Sequence, residues 1–242
     1  MKRLILMLQF LTKLPLPFEI NATEEDFSKG VIYFPVVGLI IGLLMAGIFY
    51  GVSLISNSLI AAVLVVAFEV FITGGLHLDG LADTFDGLYS YRDKDRMLEI
   101  MKDSRVGTNG VLVLVISLTL KMALLYSISD PVKVIILMPV VSRCMVVLTA
   151  AISKYAREKG MGGFFIEKTS KGQLVVALLI TAVLHIIKPE LLFVTLVVLV
   201  LTLIYRYHVY SKIDGVTGDV LGAIVELSEV FYLMIYVLVL GV

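Results

Sequence analysis

The sequence predicts an all-α fold: a polytopic membrane helix bundle of about seven transmembrane spans, with an amphipathic interfacial helix at its amino terminus. Three observations carry this reading. Of 242 residues, 59% are apolar and only 17% are charged, a balance outside that of ordinary soluble domains. Residues 30–68 carry no charge at all. Beyond them, apolar runs of the length needed to cross a hydrocarbon core of roughly 30 Å alternate with charged loops.

Residues 1–18 form the interfacial element. Lys2, Gln9 and Lys13 share one helical face, opposite leucines, Met7 and Phe10, which fits a helix lying in the membrane surface and ended by Pro15 and Pro17. The apolar run is short, is interrupted by Gln9 and has no small-residue cleavage site, unlike a secretory leader. Spans are expected at 31–53, at 58–76 with Glu69 inside, at 110–128 with Lys121, at 133–152 with Arg143, and at 220–241 with Glu226 and Glu229. The runs 173–187 and 191–207 are short and read as two tilted spans or as a hairpin that does not fully cross. Residues 1–242 thus make one membrane domain, its bundle spanning 31–241 and its loops lying at 77–109, 153–173 and 206–219. Sixteen of the twenty lysines and arginines lie in those loops and the first 30 residues. The positive-inside bias places all four segments on the cytoplasmic side and the carboxyl terminus outside.

A formal charge of zero and the lack of a basic stripe argue against a nucleic-acid partner. The one cysteine, Cys144, excludes an internal disulfide and any multi-cysteine metal site. It reads as a small packing residue. No P-loop, no GxGxxG and no serine–histidine–aspartate order stands out.

The chemistry gathers in two glycine-rich acidic stretches. In residues 73–88, Asp79, Asp83 and Asp86 stand at i, i+4 and i+7, on one face if the stretch is helical. Three neighbouring carboxylates repel one another until a cation sits among them, and Mg²⁺ is the usual one where carboxylates meet phosphate. The plain alternative is a solvated acidic loop. In residues 214–229, Asp219, Glu226 and Glu229 share a helical face on the same membrane side as Asp79. Gly218 and its neighbours let backbone approach a phosphate; a tight turn between spans is the alternative. Carboxylates inside a span are costly and mark function, unless Glu226 and Glu229 pair with Lys121 or Arg143. Arg105 is either a phosphate grip or a membrane anchor. Arg143 and Lys121, inside apolar runs, should face the bundle interior, against a carboxylate or a substrate phosphate. His77 is the one histidine in an acidic context, as a base, a donor to phosphate or a helix-end residue without catalytic duty. In loop 153–173, Lys154, Arg157, Lys159, Lys168 and Lys171 read mainly as solvated or head-group cations, with one or two placed to guide an anionic substrate. Together these groups suit a metal-assisted transfer at a pyrophosphate, with an aspartate or His77 taking the proton from an attacking hydroxyl.

The run Gly74-Gly75-Leu76-His77-Leu78-Asp79-Gly80-Leu81-Ala82-Asp83-Thr84-Phe85-Asp86-Gly87-Leu88 resembles the signature of the cobalamin synthase (adenosylcobinamide-GDP ribazoletransferase) family. So do Phe10–Pro15, Lys102–Gly107, Ser142-Arg143, Tyr155-Ala156-Arg157 and Thr217–Ala223 with Glu226 and Glu229. The likeness runs almost end to end in the expected order. Leu78, Phe85 and Asp214 depart from it, where the family has an acidic or polar residue, a small residue and glycine. The resemblance implies the last assembly step of cobalamin synthesis. The 5′ end of α-ribazole, or of its 5′-phosphate, attacks the cobinamide-linked phosphate of adenosylcobinamide-GDP and GMP leaves. It implies Mg²⁺ and the cytoplasmic (inner) membrane. On this reading Asp79, Asp83, Asp86, Asp219 and Glu226 hold the metal. Arg105, Arg143, Lys121 and Gly218 meet substrate phosphates, and His77, Asp83, Arg105 and Arg143 carry the catalysis. The bilayer is the expected partner, and a homo-oligomer is left open.

Two rivals are weaker. A CDP-alcohol phosphotransferase matches the DxxDG opening at Asp83–Gly87, but the rest of that motif is missing. An ion-coupled transporter would use Glu69, Lys121, Arg143, Glu226 and Glu229 spread through the membrane depth, whereas the acidic groups cluster toward one face.

Overall fold

The computed structural model describes residues 1–158 and 160–241, and among these the chain is an all-α bundle. Helix α1 (Lys2–Leu11) buries Leu6, Met7 and Leu11. It turns Lys2 and Arg3 toward Asp26 of α2 (Glu24–Gly30). α1 ends earlier than the two prolines predict. Thr12 becomes extended and returns its hydroxyl to the Leu8 carbonyl at 2.6 Å. The next amide, Lys13, donates at 2.6 Å to the Ile72 carbonyl instead of continuing the helix.

Helices α3 (Phe34–Ser53) and α8 (Val132–Ala151) form the centre. They approach closely because α3 presents Gly38 and Gly42, one turn apart. A Cβ at Gly38 would stand 2.8 Å from Val140 Cα, and one at Gly42 would stand 2.9 Å from Ile136 Cα. Small residues spaced this way let membrane helices pack backbone to backbone. Nearly all of α8 is buried, Cys144 included, as expected of a packing residue.

Helix α4 (Ser58–Thr73) ends at Gly74 and Gly75, both left-handed at φ 62° and 71°. Only glycine takes two such positions in a row at no steric cost. The chain turns 89° there into α5 (Leu76–Leu88). α5 therefore leaves the direction of α4 and packs Leu81 against Val113 and Ala223. Then follow α6 (Lys94–Ile100), α7 (Thr108–Ser127), the short α9 (Met161–Ile166), α10 (Lys171–Leu184), α11 (Leu191–Ile213) and α12 (Gly218–Ile235), extended to Leu240.

All seven expected apolar runs are helical. Five of the described helices are long and apolar enough to cross a membrane unaided, and six do if α4 and α5 count as one bent span. The corner at Gly74–Gly75 shortens α4, and α10 with its 3₁₀ extension stops at Ile187. The expected loop 206–219 is mostly helix. α11 runs to Ile213, where left-handed Asp214 at φ 54° ends it.

One end of the bundle collects the loops. Gly107 and Gly110 at the start of α7 meet Asp86 of α5. The Lys212 ammonium reaches the Leu88 carbonyl, and Lys94 pairs with Asp214. Lys154–Ala156, after α8, bonds in a short parallel bridge to Val216, before α12.

Candidate active site

Helices α5 and α12 cross at glycines. A Cβ at Gly80 would stand 2.7 Å from the Asp219 carbonyl oxygen, and one at Gly222 would lie 3.3 Å from Gly80 Cα. The two acidic stretches, about 140 positions apart by register, thus meet at one end of the bundle, as the sequence predicts. The segment after α8 completes the site. The Ala156 amide donates to the Val216 carbonyl at 3.0 Å and the Val216 amide to the Lys154 carbonyl at 2.9 Å. This bridge carries Arg157 to Asp219, where guanidinium Nη2 and carboxylate Oδ2 lie 2.6 Å apart. Gly162 packs on the first turn of α12, with room for no Cβ against the Gly218 amide at 2.8 Å. Thr217 caps that turn at the Val220 amide.

Between these parts lies a cavity of about 270 Å³. Its polar wall holds His77, Asp79, Arg143, Arg157, Gly218 and Asp219. Its apolar wall includes Phe10, Phe34 and Phe165, the last two with ring centroids 5.8 Å apart. Arg143 is 1% exposed, and its Nε and Nη2 have no partner among the described residues. The same holds for Arg157 Nε and His77 Nε2. Buried donors without acceptors are costly, and here they border a cavity able to admit an anion.

Asp83 stands one helical turn beyond Asp79 on α5, outside the lining of this cavity. Its carboxyl is pushed up to about 7, first by desolvation and then by the charges of Asp79, Asp219 and Asp86. That accumulation of negative charge is what a hard divalent cation relieves. Among the described residues no three acidic or imidazole groups stand close enough to cage a metal by themselves. Mg²⁺ does not need such a cage, because it takes one or two carboxylates and fills its octahedron with phosphate oxygens and water. Asp79 and Asp219 on the cavity wall, with Asp83 one turn beyond, could supply one or two such carboxylates.

Four expected site residues are employed elsewhere. Asp86 caps α7, accepting from the Gly107 amide at 2.6 Å and the Gly110 amide at 2.8 Å. Each of its oxygens thus serves a helix start, which gives Asp86 a structural role at the beginning of α7. Glu226 and Lys121 belong to a buried ion cluster inside the bundle. The Lys121 ammonium, 1% exposed, meets Glu226 at 2.7 Å, Glu69 at 3.1 Å, and Glu229. Glu229 also holds Arg143 Nη1 and accepts from the Ser142 hydroxyl at 2.8 Å. Glu226 is thus an ion-pair partner in place of a metal ligand, and Lys121 is saturated before any substrate phosphate arrives. Arg105 lies away from the cavity with its side chain 87% exposed and paired to Asp103 at 2.6 Å. It holds the Asp103 carboxyl down at about 2.

Of the cations in loop 153–173, Arg157 is the one that lines the cavity, which loop composition does not single out. Its signal was the Tyr155-Ala156-Arg157 segment, and Tyr155 lines the cavity beside it. Lys159 of the same loop lies outside the described residues.

A family model described as cobalamin-5-phosphate synthase matches residues 3–237. The chain is 46% identical to the adenosylcobinamide-GDP ribazoletransferase of Alkaliphilus metalliredigens, over 100% of its own length and 97% of that protein. It is 43% identical to the enzyme of that name from Clostridioides difficile, over 99% and 98%. With the Clostridium novyi enzyme it shares 43% over 97% and 96%. No solved structure matches the chain.

Proposed function

The chain belongs to the cobalamin-5-phosphate synthase family, and on that premise we propose that it catalyses the reaction for which its relatives are named. It is a membrane transferase of the final step of cobalamin assembly. A hydroxyl of α-ribazole, or of its 5′-phosphate, attacks the cobinamide-linked phosphorus of adenosylcobinamide-GDP. The bond to the bridging oxygen breaks and GMP leaves with that oxygen. The observation that carries this reading is the convergence of Asp79, Asp219, Arg143 and Arg157 on one cavity.

In this assignment Arg143 and Arg157 direct their unpaired N–H groups at the diphosphate. Donors fixed before the reaction stabilise developing charge without reorganising. His77 adds Nε2 as a further hydrogen-bonding atom on the same wall. Gly218 and Asp219, at the start of α12, bring main-chain N–H groups and the positive end of a helix dipole to the anion. One or two carboxylates among Asp79, Asp219 and Asp83 would hold Mg²⁺, which would neutralise phosphate oxygens when bound. The proton of the attacking hydroxyl goes to a carboxylate on the cavity wall, where Asp79 and Asp219 stand. The lysine and arginine bias supports a cytoplasmic position for this end of the bundle, and the reading takes the membrane to be the inner one. A transporter is disfavoured because Glu69, Lys121, Glu226, Glu229 and Arg143 close on one another in a single cluster instead of forming a path.

The test is to supply the purified protein with adenosylcobinamide-GDP, α-ribazole and Mg²⁺. GMP and a corrinoid with a closed nucleotide loop are expected, and both should be lost with chelator. Turnover undiminished by chelation would remove the metal from the assignment, and no GMP under any condition would remove the reaction.

A further inference from the structure

We infer that the cavity beside Lys13 is a separate subsite for the phosphate monoester of the acceptor nucleotide. The inference rests on the transferase reading above and goes beyond it in naming where the second substrate sits.

A second cavity, of about 480 Å³, adjoins the first, and Phe10, Leu76 and Asp79 line both. Its other walls are Thr12 and Lys13 after α1, the Gly74–Gly75 corner, and Val106 and Leu114 near the start of α7. The reaction must bring two substrates to one phosphorus, with attacking and leaving oxygens roughly in line. Two cavities meeting at a carboxylate supply those two approaches. The first holds the arginines and suits the diphosphate of the donor. The second holds a single cationic side chain, Lys13, and suits a smaller anion.

Lys13 is held where it is. Its amide is bonded to the Ile72 carbonyl at 2.6 Å, and its side chain crosses Gly74 so closely that any Cβ there would collide with it. Among the described residues no carboxylate pairs with its ammonium. Beside it, α5 starts at Gly75 without a side-chain cap, so no side chain takes its first-turn N–H groups, and Gly75 and Leu76 line the cavity. An ammonium and these donors recognise a phosphate carried by the acceptor but not consumed in the transfer. An acceptor esterified at 5′ then attacks through a ring hydroxyl, which lies toward Asp79. A phospholipid head group shares this chemistry, and the experiment separates the two.

The full chain is placed in nanodiscs of neutral lipid, and kcat/KM is measured with α-ribazole and with α-ribazole 5′-phosphate. Equilibrium binding of α-ribazole 5′-phosphate is measured in parallel without donor. Lys13→Met retains an apolar stem over Gly74 and removes the charge; Lys13→Arg retains the charge. Lys13→Met is expected to lower the preference for the phosphorylated acceptor roughly tenfold and to weaken its binding equally, with partial recovery in Lys13→Arg. An unchanged ratio with unchanged binding overturns the subsite, as does equal loss with both acceptors. An effect that follows anionic lipid content instead of the acceptor assigns the cavity to a head group and overturns it too. Failure of the wild type to release GMP, with binding still dependent on Lys13, faults the transferase reading alone.

Discussion

Arg157 and Asp219, 62 positions apart, form an ion pair of 2.6 Å that joins the segment after α8 to the first turn of α12. The pair sits on the cavity wall, partly shielded from solvent. On the proposed reading the pair fixes Asp219 and Arg157 relative to each other, with Asp219 offered to Mg²⁺ and Arg157 to the diphosphate. Removing either partner leaves the other misdirected. Arg157→Met and Asp219→Asn are each expected to lower kcat/KM roughly 100-fold. The double variant should be little worse than either single one, because the two act as a unit. Additive losses in steady-state kinetics would separate their roles.

Asp83→Asn should abolish turnover while the protein stays folded. Its effect on stability has a definite sign. The folded carboxyl is raised from 3.8 to about 7, so the folded state holds its proton more tightly than the unfolded chain. In the metal-free protein this contribution is present at low pH and is lost as pH rises through about 7. Asparagine removes the charge, so the variant should gain on the wild type above that pH. Solvent screening keeps the gain near ~1 kcal/mol. Thermal unfolding in chelator at acid and alkaline pH checks this, and added Mg²⁺ should stabilise the wild type only.

Asp86→Asn tests the reassignment of that residue. If Asp86 caps α7, the variant should lose about 1–2 kcal/mol of stability, as helix caps do. The Mg²⁺ concentration giving half-maximal activity should stay that of the wild type. A large shift in that concentration would return Asp86 to the metal.

Lys121→Met should destabilise by about 3–5 kcal/mol, since it strands Glu69, Glu226 and Glu229 as buried carboxylates. Adding Glu226→Gln should recover part of the loss. If Lys121 instead meets substrate, its replacement would raise KM without lowering the unfolding temperature in detergent.

The helical bundle, its apolar runs and the two acidic stretches were legible in the sequence, because each is a local property. A run of apolar residues answers to the bilayer wherever it occurs, and the glycine pair at Gly74–Gly75 announces a break in a helix. The end shared by the acidic stretches followed from counting the runs between them. The apolar run around Arg143 set it apart from Arg105 in the sequence, and the structure leaves Arg105 solvated beside Asp103 and Arg143 buried against Glu229.

What the sequence alone determined, then, is the kind of protein and the stock of charged groups it carries. Which of those groups stays free was decided by tertiary structure. Asp86 is occupied by amides 21 and 24 positions away, and Glu226 by a lysine 105 positions away. The physical reason is that a buried charge takes the best partner within reach. Only folding brings such distant partners within hydrogen-bonding distance, so the pairing that frees Asp79 and engages Glu226 has no signature in residue spacing.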